Sequence, residues 1–281
     1  MTITRRVVLS MALSTAALAT GCSQKKSAGA VQRVTYGPDP SQVADLHLPP
    51  GDAVVPVAVV IHGGFWMSGY GVELATPLAE DLAAHGIAGY AIEYRRVGDG
   101  GGWPATFEDV AAAIDALEGQ PRLDLRRVVA VGHSAGGHLA VWAAGRHRLP
   151  PTAPGAAPKV VLKGAVSQAG VLDLVDGVRA NLGGQAVRSL MGASPSEDPA
   201  RYELASPYEQ VPLDVPISLV HGAADRIVPI EQSRRYRDAA TRAGATVTLT
   251  ELPDVGHFEF IDSGHSAWRS CREELQRLQQ A

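Results

Sequence analysis

The sequence predicts an α/β protein: one domain with a doubly wound, mostly parallel sheet of about eight strands and helices on both faces. Short β-branched, apolar segments alternate along the chain with longer segments of helical period. Residues 57–61 are apolar throughout, as expected of a central parallel strand that is covered on both faces. The length of 281 residues, with 46% hydrophobic and 19% charged residues, suits one large globular core.

Seven segments are rich in β-branched residues and are bounded by Gly, Pro or polar residues, so we predict them as strands. They are residues 31–36, 57–61, 87–93, 127–131, 160–167, 217–220 and 246–252. Five predicted helices are residues 74–84, 106–117, 139–145, 231–243 and 266–279. A strand that is followed by a helix and then another strand favours parallel pairing through crossover connections.

The first 21 residues have the layout of a signal peptide. Arg5 and Arg6 precede an uncharged, mainly apolar run over residues 7–20. That run is about 14 residues long, shorter than the roughly 20 residues that span a bilayer, so we predict cleavage and not a transmembrane helix. Residues 4–9 also resemble a twin-arginine export signal, although ordinary secretory signals contain Arg pairs as well.

A cysteine follows the apolar run directly. Residues 18–22, Leu-Ala-Thr-Gly-Cys, resemble a bacterial lipobox, in which the cysteine is acylated and becomes the new N-terminus. We therefore predict lipidation of Cys22, a lipidated tether over residues 22–30, and an exported protein that is membrane-anchored or secreted into the cell envelope. The only other cysteine, Cys271, then has no disulfide partner.

The charge of the mature chain argues against a nucleic-acid partner. Removing residues 1–21 takes two arginines from the 25 basic residues and nothing from the 29 acidic ones, which leaves a formal charge of −6. No basic run is longer than a pair. Polyanion binding requires a basic patch, so we expect no nucleic acid partner. The only membrane association that we predict is through the lipid.

The motif Gly132-His133-Ser134-Ala135-Gly136 follows a predicted strand and precedes an apolar helical run. A sharp turn between strand and helix presents a serine hydroxyl above the sheet, and glycines two positions before and after it leave room for the neighbouring backbone. We predict Ser134 as a nucleophile.

A second motif, Ile-His-Gly-Gly-Phe-Trp over residues 61–66, lies at the end of an earlier strand. With the serine motif it resembles the α/β-hydrolase superfamily, and in particular its small carboxylesterase, feruloyl/acetyl-xylan-esterase and kynurenine-formamidase-like members. The resemblance covers residues 31–281, which we take as the catalytic domain. It implies the α/β-hydrolase fold and hydrolysis of acyl bonds.

The glycines after His62 are suited to an oxyanion hole, because backbone N–H groups can approach a substrate where no Cβ intervenes. We place the hole at Gly63, Gly64, Phe65 and Ala135, with Gly64 or Phe65 donating together with Ala135. A tight turn without catalytic role is the alternative interpretation. His62 itself is expected to brace the loop.

The predicted acid is Asp225, just beyond the strand 217–220, and the predicted base is His257, in the loop after the strand 246–252. With the nucleophile they give the chain order Ser, Asp, His of the α/β-hydrolases. Both lie after the carboxyl ends of strands and can reach one site. Asp254 is the rival for the acid, and His221 and His265 are the rivals for the base.

The resemblance also assigns residues around the site. Tyr94, Arg95, Asp109 and the pair Trp103-Pro104 would be scaffold, with solvated loop residues as the alternative. Phe65 and Trp66 have two interpretations, to which we give equal weight. They line a substrate cleft, or they fill the local core. A small lid insertion is expected at about residues 173–212, too short to enclose a deep site.

These features favour a serine hydrolase that cleaves esters of short or aromatic acyl groups. The acyl group is expected to be carried by a small molecule or a carbohydrate. An arylformamidase-like amidase and a non-catalytic binding lipoprotein are the alternatives. No cluster has metal-ligand spacing, and the glycine run 98–102 lacks the pattern of a phosphate loop, so we expect no metal and no cofactor. The sequence leaves the oligomeric state open.

Overall fold

The computed structural model describes residues 29–281, so the predicted signal peptide and Cys22 lie outside the described residues. The strands are β1 (Val31–Thr35), β2 (Val43–His47), β3 (Val55–Ile61), β4 (Ala88–Ile92), β5 (Leu123–His133), β6 (Gly164–Gln168), β7 (Ile217–Gly222) and β8 (Val247–Leu252). The α-helices are α1 (Thr76–Ala84), α2 (Ala105–Asp115), α3 (Ala135–Ala144), α4 (Leu174–Arg179), α5 (Ala186–Met191), α6 (Pro199–Ala205), α7 (Glu231–Arg242) and α8 (Ser266–Gln280). Among residues 29–281, the helices are too short or too polar to cross a membrane.

All eight strands form one sheet in the order β1-β2-β4-β3-β5-β6-β7-β8. β2 runs antiparallel to both of its neighbours, whereas β3 to β8 are parallel to one another. The prediction of a doubly wound, mostly parallel sheet is confirmed. The chain moves outward from β3 to β4 and then returns to β5 on the other side of β3. A crevice therefore opens beyond the carboxyl ends of β3 and β5, where α/β folds bind ligands.

The central strands are buried on both faces. Val57, Val59 and Ile61 of β3 belong to one apolar cluster, and Ala58 and Val60 belong to the other. Because side chains alternate across a strand, an uninterrupted apolar run supplies both layers at once. This arrangement explains why the pattern predicted β3 correctly.

The pattern missed β2, a strand that carries Asp45 at its centre. Arg33 lies opposite on β1 and donates two hydrogen bonds to the Asp45 carboxylate, both of 2.8 Å. The charged Asp45 lies at a half-buried position between buried Ala44 and Leu46, so the alternation is kept, but the five residues contain no continuous apolar run like that of β3. Here the cross-strand partner of Asp45 makes the position compatible with pairing.

The chain between β6 and β7 forms an insert that contains the three short helices α4, α5 and α6. It coincides with the lid segment predicted at residues 173–212. The short helices were not predicted, because six or seven residues give too little periodicity to detect. Its role as a lid stays a prediction.

Candidate active site

Ser134 lies between the end of β5 and the start of α3. Its backbone angles are φ 56° and ψ −116°, a conformation that side-chain-bearing residues rarely adopt. Its N–H donates to the Gln168 carbonyl at 2.8 Å, and its carbonyl accepts from the His138 N–H at 3.1 Å. The end of β6 and the first turn of α3 thus hold the strained turn in place.

The two glycines of the serine motif are required by close backbone contacts. A Cβ on Gly132 would lie 2.1 Å from the Gly136 carbonyl oxygen. A Cβ on Gly136 would lie 2.0 Å from the carbonyl oxygen of Ile61. Any larger residue would push α3 away from β3 and β5, so the motif reflects steric necessity at the turn.

His257 and Asp225 form a buried pair. His257 Nδ1 donates to Asp225 Oδ2 at 2.6 Å, and the Asp225 side chain is 0% exposed. The other carboxylate oxygen, Oδ1, accepts from the N–H groups of Ile227 and Val228 at 2.8 and 2.9 Å. Burial disfavours the charged form, but hydrogen bonds from His221 and His257 outweigh it and keep the pKa of Asp225 below its ordinary value.

Asp254 and His265, which were other candidates for the acid and the base, are not part of the Asp225–His257 pair. Asp254 is exposed in the turn after β8. His265 caps α8, where its Nδ1 accepts from the Ala267 N–H at 3.1 Å. In residues 29–281, no group of three or more His, Cys, Asp or Glu side chains could hold a metal ion.

His221 is buried next to Asp225. Its Nε2 donates to the Val228 carbonyl at 2.9 Å and lies 3.4 Å from Asp225 Oδ2. Its Nδ1 accepts from the Ser233 hydroxyl at 2.8 Å. His221 therefore supports the Asp225 loop through Val228 and lies near the same carboxylate oxygen as His257.

His133 is a site residue that the sequence analysis did not single out. Its Nε2 donates to the His257 backbone carbonyl at 2.8 Å, and the two rings are 4.5 Å apart between centroids. Burial and the neighbouring His257 lower the pKa of His133 to about 3, so it stays neutral at ordinary pH. It ties the His257 loop to the serine turn. Its place before Ser134 was visible, but this long-range contact was not.

The loop after β3 passes directly over the serine. A Cβ on Gly63 would lie 3.3 Å from Ser134 Cβ and 2.8 Å from the His133 carbonyl oxygen. Gly64 has φ +111°, and a Cβ there would lie 2.3 Å from Tyr70 Cβ. Both glycines are therefore needed for this approach.

The N–H groups of the predicted oxyanion hole are free to donate. Within the described part of the chain, the amides of Gly64, Phe65 and Ala135 have no hydrogen-bond acceptor. Phe65 has φ 53°, in a turn closed by the Met67 N–H donating to the Gly64 carbonyl at 3.0 Å. Free amides beside a serine can bind a developing negative charge. The assignment of Gly63, Gly64, Phe65 and Ala135 stays a prediction.

His62 braces this loop. Its Nδ1 lies 2.8 Å from the Gly63 carbonyl oxygen, and its Nε2 lies 2.9 Å from Glu93 Oε1. Tyr94 stacks on the His62 ring at 4.3 Å and donates its hydroxyl to the His62 carbonyl at 3.0 Å. These contacts support the interpretation of His62 and Tyr94 as scaffold.

Arg95 and Asp109 form a second support. The guanidinium donates to both carboxylate oxygens at 2.8 and 2.7 Å, and Asp109 is 1% exposed. Trp103 packs edge to face on Phe107, with 5.0 Å between ring centroids. The structure thus favours the scaffold interpretation over solvated loop residues.

The two aromatic residues of the oxyanion loop have different surroundings. Trp66 is 0% exposed and packs edge to face on His138 at 5.3 Å, so it belongs to the core. Of the two interpretations of Trp66, this burial favours filling of the local core over lining of a substrate cleft. Phe65 is partly buried against Gly183 of the insert, where a Cβ would lie 2.3 Å from its ring. Its role in the cleft stays a prediction.

The eight-stranded sheet, the strained serine turn at the end of β5, and the paired Asp225 and His257 in the loops after β7 and β8 define the α/β-hydrolase class. Residues 44–239 match the BD-FAE family model, and the chain belongs to that family of α/β-hydrolase esterases.

Curated relatives are longer than this chain. Esterase LipC of Mycobacterium tuberculosis is 28% identical over 256 residues, which cover 84% of this chain and 61% of LipC. The probable carboxylic ester hydrolase LipM of the same organism is 30% identical, over 75% of this chain and 51% of LipM. The chain thus spans about half to three fifths of the length of these relatives.

Two solved structures share the fold over nearly their whole length. A truncated carbohydrate esterase from gut microbiota has a TM-score of 0.80 and 22% identity, covering 92% of this chain and 99% of that chain. Butyrate-bound Est2 of Thermogutta terrifontis has a TM-score of 0.69 and 23% identity, covering 90% and 94%. These likenesses confirm the predicted α/β-hydrolase fold.

Proposed function

We propose that this protein is a carboxylic-ester hydrolase that works through an acyl-enzyme intermediate on Ser134. The observation that carries the proposal is the 2.6 Å contact between His257 and the buried Asp225, in a loop that His133 ties to the serine turn. Membership of the BD-FAE family and the esterase names of the relatives support it.

In the first half-reaction, the Ser134 hydroxyl oxygen attacks the ester carbonyl carbon while His257 Nε2 takes its proton. Asp225 accepts from Nδ1, which places the free lone pair at Nε2 and balances the charge of the imidazolium. The carbonyl oxygen becomes an oxyanion that the amides of Ala135 and of Gly64 or Phe65 stabilise. The intermediate then expels the alcohol, which leaves with the proton from His257.

In the second half-reaction, His257 takes a proton from water, and the hydroxide attacks the acyl carbon. The new tetrahedral intermediate releases Ser134, whose oxygen recovers the proton from His257, and the carboxylic acid leaves. Within residues 29–281, Ser134 and His257 form no side-chain hydrogen bond. Catalytic hydrogen bonds often tighten only when a substrate binds, so the assignment depends on the Asp225–His257 pair.

Covalent labelling tests the nucleophile directly. We expect a fluorophosphonate probe to modify the wild-type protein at one position, because an activated serine hydroxyl displaces fluoride from phosphorus. Mass spectrometry of the peptides should find the phosphonyl group on Ser134. The Ser134→Ala variant is the control and should stay unlabelled. A label on another residue, or none on active protein, would contradict the proposal.

Short acyl chains are the proposed substrates. The insert between β6 and β7 carries only short helices, which favours a shallow acyl site over a deep apolar tunnel. The butyrate-bound form of Thermogutta terrifontis Est2, which shares this fold, is consistent with a short acyl group.

We expect kcat/KM for p-nitrophenyl esters to be highest from acetate to butyrate and to fall by decanoate. A tunnel would instead gain about 0.8 kcal/mol for each buried CH₂, roughly fourfold in kcat/KM, until it was full. Measuring the acetate, butyrate, octanoate and decanoate esters decides between the two. A steady rise through decanoate would overturn the short-chain proposal.

We also propose that the mature protein is exported and anchored through lipid on Cys22, on the basis of the sequence motif at residues 18–22. Mass spectrometry of the mature N-terminus should find an acylated Cys22. The Cys22→Ser variant should be released or left unprocessed, because serine has no thiol to acylate. An intact Met1, or an unmodified Cys22 in membrane-bound protein, would contradict this proposal.

A further inference from the structure

Large apolar side chains are exposed at six positions of the described chain. They are Val31, Val54, Tyr70, Val161, Ile227 and Phe258. A single exposed apolar residue is ordinary on a protein surface, whereas a group around one site indicates binding. Three of the six belong to the loops that form the candidate active site: Tyr70, Ile227 and Phe258.

Each of these three residues lies beside a different part of the candidate active site. Tyr70, 48% exposed, packs over Gly64 of the predicted oxyanion hole. Ile227, 37% exposed, donates its N–H to the Asp225 carboxylate. Phe258 is 62% exposed and directly follows the proposed base. The site is thus bordered by apolar surface on its three loops.

The exposure of Phe258 follows from the backbone around it. The Phe258 carbonyl accepts from the Ile261 N–H at 3.2 Å, which closes a turn, and Phe260 within that turn is 0% exposed. Burying Phe260 leaves Phe258 outside. The Phe258 ring lies edge to face on the His257 ring, with 5.3 Å between centroids and 82° between planes. His257 is held by Asp225 and His133, so the backbone that carries Phe258 next to it has a fixed position beside the imidazole.

The chemistry of ester hydrolysis determines what lies beside His257. The base must return its proton to the oxygen of the leaving alcohol, so the alcohol part of the ester binds next to the imidazole. The acyl oxygen binds at the other side, at the free amides near Gly64. An exposed ring beside His257 is therefore placed to meet the alcohol part of the substrate.

We propose that Phe258 determines specificity for the alcohol part of the ester and favours alcohols with a flat apolar face, such as phenols. This inference rests on the proposed ester hydrolysis. An aromatic pair contributes about 0.5–1.5 kcal/mol beyond the area that it buries. That range corresponds to a change of up to about tenfold in kcat/KM.

The experiment compares two acetate esters that share an acyl group and differ in the alcohol: phenyl acetate and trifluoroethyl acetate. In the Phe258→Ala variant, we expect kcat/KM to fall about tenfold for phenyl acetate and less than twofold for trifluoroethyl acetate. The Val54→Ala variant is the matched control, since Val54 is also 62% exposed and precedes β3 at the opposite end of that strand. It should change neither value.

The breakdown of the acetyl-enzyme gives a second measurement. The alcohol has already left this intermediate, so its hydrolysis rate should be the same in wild type and Phe258→Ala. An equal loss for both esters, or slower deacylation, would show that Phe258 only supports His257 and would overturn the inference. An unchanged value for phenyl acetate would also overturn it. A wild-type protein that hydrolyses neither ester would refute the proposed function itself, and the inference with it.

Discussion

The Ser134→Ala variant is expected to lose ester hydrolysis by a factor of about 10⁶ in kcat. Alanine has no hydroxyl to form the acyl-enzyme, so only substrate binding and oxyanion stabilisation remain. The change should leave the fold intact. Ser134 is held through its backbone N–H and carbonyl, which alanine keeps, and a Cβ is already accommodated at this φ of 56°.

The measurement is steady-state hydrolysis of p-nitrophenyl acetate, with thermal unfolding of both proteins as the control for folding. An unchanged unfolding temperature together with the loss of activity would assign the effect to chemistry. Residual activity above a few per cent of wild type, in protein free of wild-type contamination, would remove Ser134 from the mechanism.

The Asp225→Asn variant is expected to lower kcat by about 10⁴. The carboxylate accepts at both oxygens: from His257 at Oδ2, and from the Ile227 and Val228 amides at Oδ1. An asparagine side chain has only one oxygen, and that oxygen is expected to accept from the Ile227 and Val228 N–H groups as Oδ1 does now. Its NH₂ group then faces His257 Nδ1 and forces the imidazole proton onto Nε2, where the base must be free to accept.

The matched control is Asp254→Asn, since Asp254 lies three positions before His257 and is exposed. It should lower kcat far less, because an exposed side chain in the turn does not orient the imidazole. Rates of p-nitrophenyl acetate hydrolysis by the two variants make the comparison. If Asp254→Asn has the larger effect, the acid is misassigned.

Local sequence patterns predicted most of the sheet correctly, because burial on both faces leaves an uninterrupted apolar run in strands such as β3. They failed at β2, a strand of five residues that contains no continuous apolar run and whose Asp45 pairs with Arg33 on the neighbouring strand. They also placed the start of β5 at residue 127 instead of Leu123 and the start of β6 at 160 instead of Gly164. Strand ends depend on pairing with distant residues, which periodicity does not record.

The sequence by itself determined the serine turn. The motif around Ser134 was enough to identify it, and Gly132 is required by a contact with Gly136, four residues away; the requirement for Gly136 comes from Ile61 on β3. The sequence predicted Asp225 over Asp254 as the acid, and the tertiary structure adds the 2.6 Å contact between Asp225 and His257. Only the tertiary structure showed that Trp66 is buried against His138 of α3. It also showed that His133 contacts the His257 carbonyl, 124 residues further along the chain. Contacts between distant segments depend on the order of the strands in the sheet, because that order decides which loops lie side by side. The sequence pattern of a single segment does not contain this information.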